Sequence, residues 1–385
     1  MKGELINSLF FVSIYFMNKN FLKAIIKSSL IFLLFLLLPF SYVLAQEDIE
    51  KSEVFKGKIL ESKEVACNGI SEEEEYQCIM YTVRILDEKY GDVETMPTWI
   101  NNREDIFKVG SKVYVSSMED LDGQMVWSVE SYSRENSLLL LFLLFVVLII
   151  VIAGKRGFWA TVGLIMSFFI LYFFAIPKLN QGQSIFLVGS TTLLLLLFAS
   201  TFLTYGFNIK SVISFVSTFM GILIIAGLGA LLISKLNISG SGEEASAMLF
   251  DTTNGGIKLS TVFLLSIVIG ALGVLDDVTV GQTSSMIEIY GADRKLTRME
   301  LFKKGMNIGK DHISSMVNTL FIAYAGSSFS LVMLLSANSP DLRILLNTGF
   351  VIEEIVRTLV ASIGLILVVP LASFISSIVI VKVLK

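Results

Sequence analysis

The stretch Gly270-Ala-Leu-Gly-Val-Leu-Asp276-Asp277-Val-Thr-Val-Gly-Gln282-Thr-Ser-Ser285-Met-Ile-Glu288 decides how this chain is read. After a basic connection the chain re-enters an apolar run as Asn318-Thr-Leu-Phe-Ile-Ala-Tyr324-Ala-Gly326. Two adjacent carboxylates close one apolar segment, and amide, phenol and hydroxyl groups lie inside the next. Uncharged runs of about 18 or more residues read as transmembrane helices. Polar groups at that depth cost free energy, so they are the first candidates for function.

The flanking sequence has the same character. Of 385 residues 54% are hydrophobic, with 29 Phe and a single His. Apolar runs lie near Leu138–Ala153, Phe158–Ile176, Ile185–Tyr205, Val212–Ile233, Leu259–Leu275, Ile313–Ser336 and Thr358–Val381, the last containing Pro370, which should kink it. Residues 137–385 are therefore expected to form a membrane all-α bundle of about seven transmembrane helices, with a basic cytoplasmic loop at 276–311. The Gly221, Gly227 and Gly229 cluster would let helices approach closely. No basic, aromatic-rich soluble face suggests nucleic-acid binding; the bilayer is the expected partner.

Residues 1–45 read as a targeting segment. Lys19, Lys23 and Lys27 precede an apolar core at Leu30–Leu38, and Val43-Leu44-Ala45 resembles a signal-peptidase exit. Met17 would serve as an alternative start, and an uncleaved anchor helix as an alternative fate. Either fate exports residues 46–136. These residues are the polar part, with strands expected at Val54–Leu60, Gln77–Leu86, Asp92–Met96 and Lys112–Ser117. Four or five short strands suggest a small all-β domain, an OB-like barrel or a sandwich. Cys67 and Cys78, the chain's two cysteines, flank the acidic loop Glu72–Glu75. Outside the membrane they read as a disulfide worth about 2–3 kcal/mol. Two free thiols or a metal site are the alternatives, although two cysteines without a nearby His do not make a four-ligand zinc site.

Charge sets the orientation. With residues 46–136 outside, Lys155, Arg156, Lys210, the run from Arg294 to Lys310, Lys382 and Lys385 all fall inside. Outside connections dilute Lys178, Lys235, Lys258 and Arg343 with Glu243, Glu244, Asp251 and Asp341. The positive excess lies in the cytoplasm, as an exported domain requires.

Asp276 and Asp277 lie about 27 Å along a helix from Lys258, close to the inner edge of a core about 30 Å thick. One reading is a solvated helix end. If the helix continues, Asp277, Gly281, Ser284, Ser285 and Glu288 share a face. Such a stripe, with Asp276 and Gln282 beside it, would line a pathway or hold a hard cation. Asn318, Thr319 and Tyr324 lie deeper in the next run. They read either as interhelical glue, worth about 0.6–2 kcal/mol per pair, or as the facing wall of the same pathway. Glu353, Glu354 and Arg357 form a third cluster, in which Glu353–Arg357 has the i,i+4 spacing of an ion pair.

These motifs in this order, with Gly309-Lys-Asp-His-Ile, Glu354-Ile-Val-Arg357 and Ser362-Ile-Gly-Leu-Ile-Leu-Val-Val-Pro370, resemble the YibE/F-like family of bacterial multi-pass membrane proteins. The resemblance covers residues 138–385 and, more loosely, the exported domain. It implies an exported β domain followed by a helical bundle in a bacterial plasma membrane, and no established activity.

Two function classes fit. One is an ion- or proton-coupled transporter or exporter using Asp276, Asp277 and Glu288, with Asn318 and Tyr324 across the next interface. The other is an anchor, assembly or sensor protein presenting the β domain to an extracytoplasmic or membrane protein partner. An enzyme is not expected. His312 beside Asp311 offers no nucleophile–base pair, and HExxH, P-loop and paired intramembrane aspartates on different helices are missing from the sequence. No cofactor or metal is expected.

Overall fold

The computed structural model describes residues 53–68, 75–87, 90–99, 107–120, 124–242, 244–253, 256–338 and 341–384. The targeting segment and most of the acidic loop lie outside them. The chain divides into two compact units, one centred on residues 45–148 and one on 149–385.

The first unit is an antiparallel sheet. Its strands are β1 (Glu53–Asn68), β2 (Glu75–Ile85), β3 (Asp92–Glu94), β4 (Thr98–Trp99), β5 (Lys112–Glu119) and β6 (Met125–Tyr132). The order is β3-β2-β1-β5-β6, with β4 on β2. The long β1 pairs with β2 from Gly57/Ile85 to Asn68/Glu75, shifting register between Ile59 and Glu61. Its first half also pairs with β5, from Glu53/Ser117 to Lys58/Lys112. Period-two alternation puts Ile79, Tyr81, Val83 and Ile85 of β2, with Val113 and Val115 of β5, into one apolar core. Gly57 fits because a Cβ there would come within 2.4 Å of Val83 Cγ1. Phe55, Tyr90 and Trp127 pack ring against ring. Residue Met96 donates its amide to Trp127 O at 2.7 Å, joining the segment after β3 to β6. Cys78 is buried and disulfide-bonded; the Cys67 side chain lies outside the described residues.

The helices are α1 (Glu135–Ala153), most of which belongs to the first unit, and, making up the second, α2 (Lys155–Asn180), α3 (Ile185–Leu203), α4 (Ile209–Lys235), α5 (Glu244–Thr252), α6 (Leu259–Ala292), α7 (Arg298–Ser327), α8 (Phe329–Asn338), α9 (Leu342–Asn347) and α10 (Gly349–Val383). Six of these, α1, α2, α3, α4, α6 and α10, are long and apolar enough to cross a membrane. Two contain π-helical turns, at Ile170–Ala175 in α2 and Ala199–Leu203 in α3. Helix α10 runs through Pro370.

Helices α4, α6 and α10 pack mutually, and α7 lies on α6 and α10. Small residues set the crossings. A Cβ on Gly221 would meet Val368 and Leu275, one on Gly229 would meet Leu264, and one on Gly309 would reach Val369 Cγ1 at 2.4 Å; Gly227 faces open space. Helix α7 runs antiparallel to α6, since Gly305 lies against Met286, His312 near Gly281 and the Tyr324 hydroxyl near Gly270.

Two expectations need correction. Residues 276–311 are not a loop: α6 continues to Ala292, α7 opens at Arg298, and the connection is residues 293–297. The helix survives its carboxylates because Asp276 turns inward to partners, while the capping box of Thr297 and Glu300 starts α7 before its lysines. Nor is Ile313–Ser336 one helix. Its first part completes α7, the chain breaks at Ser328, and α8 comes next.

Candidate functional site

Helix α6 has neighbours round most of its circumference and one exposed stripe, so the direction of each polar side chain decides its environment. Asp276, near its middle, is 5% exposed. It accepts a hydrogen bond from Thr201 Oγ1 at 3.0 Å. Thr201 lies in the π-helical end of α3, and such turns break the regular backbone ladder, often where function needs it broken. Three residues on, Thr279 meets Thr218 of α4, hydroxyl to hydroxyl at 2.7 Å, and also donates to Asp276 O at 3.0 Å. Four residues further, Thr283 lies 3.3 Å from the Ser376 hydroxyl of α10. Gln282 is fully buried, and its Nε2 donates to Gly305 O at 2.7 Å and Ser373 Oγ at 2.9 Å.

The result is a buried polar layer that reaches α3, α4, α7 and α10 from one helix. Apolar residues close it on both sides. Leu272, Leu275, Val278, Val368 and Val369 belong to the cluster on one side. Met286, Tyr290, Ile213, Leu301 and Ile380 form the cluster on the other. A carboxylate in such a place must be hydrogen-bonded or change charge state, because an ionised carboxyl away from water is strongly disfavoured.

The sequence candidates separate on this geometry. Asp276 and Gln282 enter the layer. Asp277, one residue on and about 100° round the helix, is exposed. Ser285 is half-buried and donates to Gly281 O, and Glu288 is exposed. Asn318 and Thr319 are exposed, Thr319 bonding back to Ser315 O. Tyr324 is half-buried, its hydroxyl near Gly270, two turns from Asp276. The expected meeting of Asp276 with Asn318 and Tyr324 does not occur; Asp276 faces α3 instead. Arg357 Nη1 donates to Glu354 Oε2 at 2.8 Å, and its guanidinium lies over the Phe263 ring. Glu353 Oε1 also accepts the Gly242 amide at 3.1 Å. Sequence reasoning missed Thr201, Thr218, Thr279, Ser373 and Ser376. Single hydroxyls in apolar runs look like packing residues, and their only signal is recurrence on four helices.

Among the described residues no three His, Cys, Asp or Glu side chains gather as a metal site would require. Residues 141–382 match the family described as YibE/F-like protein. The chain belongs to the YibE/F-like family. No curated protein and no solved structure matches it. The family's span runs from within α1 to the end of α10 and so contains the whole polar layer. With its apolar helices it makes this YibE/F-like chain a multi-pass membrane protein.

Proposed function

We propose that the chain is an ion- or proton-coupled solute transporter or exporter, with Asp276 as the coupling carboxylate. One observation carries this reading: an acidic side chain buried at mid-helix, bonded to a π-helical turn and closed off by apolar clusters on both sides. Such a group changes its interactions when it gains or loses a proton or cation. An anchor has no use for the cost of burying it.

Topology supports the reading. We read α7, antiparallel to α6 and continued by α8, as a seventh crossing despite Lys303, Lys304 and Lys310 at its start. Seven crossings would set residues 46–136 and the C-terminus on opposite faces, and the basic residues favour the cytoplasm for the C-terminus. The chain is then a bacterial plasma-membrane protein with a signal peptide or anchor at residues 1–45. For the exported domain, the β1 pairings with β2 and β5, the β5–β6 ladder and the Met96–Trp127 bond support an OB-like barrel. The layer supplies hydroxyls and amides around one acid and no nucleophile–base pair, which favours transport over enzymatic chemistry.

Exposed Met96, Met118 and Met125 on the β unit favour a second reading, an anchor that offers this surface to a partner. Complementing a deletion strain separates the two. Asp276→Asn should reach the membrane at normal levels and fail to restore the lost phenotype. Full rescue by Asp276→Asn, with loss on deleting residues 46–136 alone, would leave the anchor.

A further inference from the structure

We propose that a cavity walled by α3, α4 and α6 holds one acyl chain of an anionic phospholipid, with Lys258 on the lipid's phosphate. The inference stands whether or not the chain transports a solute. The cavity measures about 300 Å³, at the lower end of the range for small-ligand sites. Leu197, Ile222 and Val268 line it and are buried, whereas Phe186, Leu194 and Leu223 line it and are exposed. The space therefore runs from the bundle interior to a mouth on the bundle surface. All three walls are membrane-length helices, so hydrocarbon and not water borders that mouth.

Packing explains why the space exists. Helices α4 and α6 run antiparallel and interlock, Gly229 against Leu264 and Gly221 against Leu275. Helix α3 meets α6 where Gly189 lies against Leu265, but it follows α4 far less closely than α6 does. The walls are apolar apart from two hydroxyls, Ser190 and Thr261, and Ser190 Oγ donates to Leu187 O of its own helix at 3.1 Å. Such walls give water too few partners, and an apolar group recovers the dispersion contacts they would otherwise lack. Shape narrows the choice of group. The lining on α3 spans residues 185–197, about 18 Å along the axis, and the linings on α4 and α6 span residues 219–226 and 261–268, about 10 Å each. A space so long for its volume suits an extended hydrocarbon chain better than a ring system.

Charge selects the headgroup. Lys258 precedes Thr261 by three residues at the start of α6, on the side that continues through Leu265 and Val268. It is exposed. Lys235 ends α4 six residues beyond Gly229, and Lys258 lies six before Leu264, so the antiparallel pair brings both lysines to one level. Cations at the level where a chain leaves the cavity attract a phosphate. A choline headgroup would bring a further cation there, whereas a glycerol headgroup leaves the phosphate charge uncompensated for the lysine.

The test reconstitutes the full-length protein in phosphatidylcholine vesicles with a trace of phospholipid carrying a photoactivatable acyl chain. A phosphatidylglycerol probe should label the cavity residues Leu197 and Leu265 about fivefold more than a phosphatidylcholine probe at equal mole fraction. Lys258→Gln should make the two probes equal. Ala226→Phe and Ser190→Phe fill the space from α4 and α3, and each should abolish labelling of Leu197 and Leu265. Labelling of Leu187, exposed on α3 and outside the lining, should persist in both. Wild-type labelling confined to outward residues such as Leu187 overturns the site, and this result decides even where a filled variant fails to fold. Cavity labelling that survives both filling substitutions overturns it as well. Equal labelling by the two probes in the wild type overturns the anionic headgroup. Displacement of the probe by a small aromatic hydrocarbon, but not by unlabelled phosphatidylglycerol, would give the cavity to an apolar solute instead.

Discussion

Along α6 the side chains of Asp276, Thr279, Gln282 and Thr283 turn inward and find partners on four other helices. Along α7, at matching depth, Ser314, Ser315, Asn318 and Thr319 turn outward and are exposed. The two helices are consecutive, antiparallel and similarly rich in polar residues, and they treat those residues oppositely. The reason is the number of neighbours. Helix α6 is buried round most of its circumference, with an exposed stripe through Gly270, Gly273, Asp277 and Glu288, whereas α7 touches its neighbours through a narrow stripe of Leu301, Gly305, Gly309 and Leu320. A polar group's meaning at membrane depth therefore depends on which helices enclose it.

The largest expected effect breaks the symmetry of the two adjacent aspartates. Asp276→Asn should abolish complementation while Asp277→Asn retains most of it, since only the first enters the layer. Membrane level should not fall in either case, because removing a carboxylate from hydrocarbon relieves roughly 2.5–3.5 kcal/mol on insertion scales. Equal loss from both changes would mean that the exposed side of α6 shares the work.

Next in size is a contrast between two glycines of α7. Gly309→Ala pushes a Cβ to 2.4 Å from Val369 Cγ1. Such overpacking should destabilise by about 1–3 kcal/mol in thermal or denaturant unfolding. Gly326→Ala meets nothing within 4 Å and should gain up to about 1 kcal/mol of helix propensity. Similar losses at both positions would show that α7 is covered on its outer side as well.

The same contrast explains what is legible in the sequence. Membrane class, the period-two strands around Tyr81 and Val83, and the polar stretch of α6 all come from local patterns that a chain cannot hide. The choice between Asp276 and Asp277 does not, because it rests on which helix lies 100° round the axis. Thr201 is invisible for a related reason: the π-helical turn that presents it has no mark in Ala-Ser-Thr-Phe-Leu. In β6, Trp127 and Val129 alternate inward with polar residues, but the strand is short and rich in Ser and Glu, so it reads as connection. Helix α7 shows the opposite error. Its apolar turns read as a run that begins at Ile313, yet the lysine-bearing start from Arg298 belongs to the same helix.

A smaller effect concerns how α7 begins. Thr297 Oγ1 accepts the Glu300 amide, and Glu300 Oε2 accepts the Thr297 amide. Thr297→Ala should cost about 1 kcal/mol in this first turn, read by faster hydrogen exchange at residues 298–301. The Thr297 amide and hydroxyl, with Lys304 and Lys303 nearby, hold the Glu300 carboxyl below its ordinary value. A carboxyl lowered in the folded state stabilises above its unfolded pKa, and that contribution fades as pH falls through the folded value. Acid should therefore loosen the start of α7 in the wild type and do so less in Thr297→Ala. An unchanged acid response in the variant would place the sensitivity elsewhere.

The smallest effect is expected at Asn318, and it is the most direct check on the outward face. The amide lies at the level of Asp276 but on the far side of α7 from the layer, exposed. If that face meets lipid, Asn318→Leu replaces a polar group with an apolar one and should preserve or raise the amount of protein in the membrane. Complementation should stay close to wild type, because no group in the Asp276 layer loses a partner. Interhelical glue predicts something else, a fall in expression from a lost bond worth about 0.6–2 kcal/mol. Loss of function at normal expression, as large as that of Asp276→Asn, would be more damaging. It would put the outer face of α7 on the pathway, requiring water or a second chain against Asn318, and the contrast between the two helices would no longer separate site from scaffold.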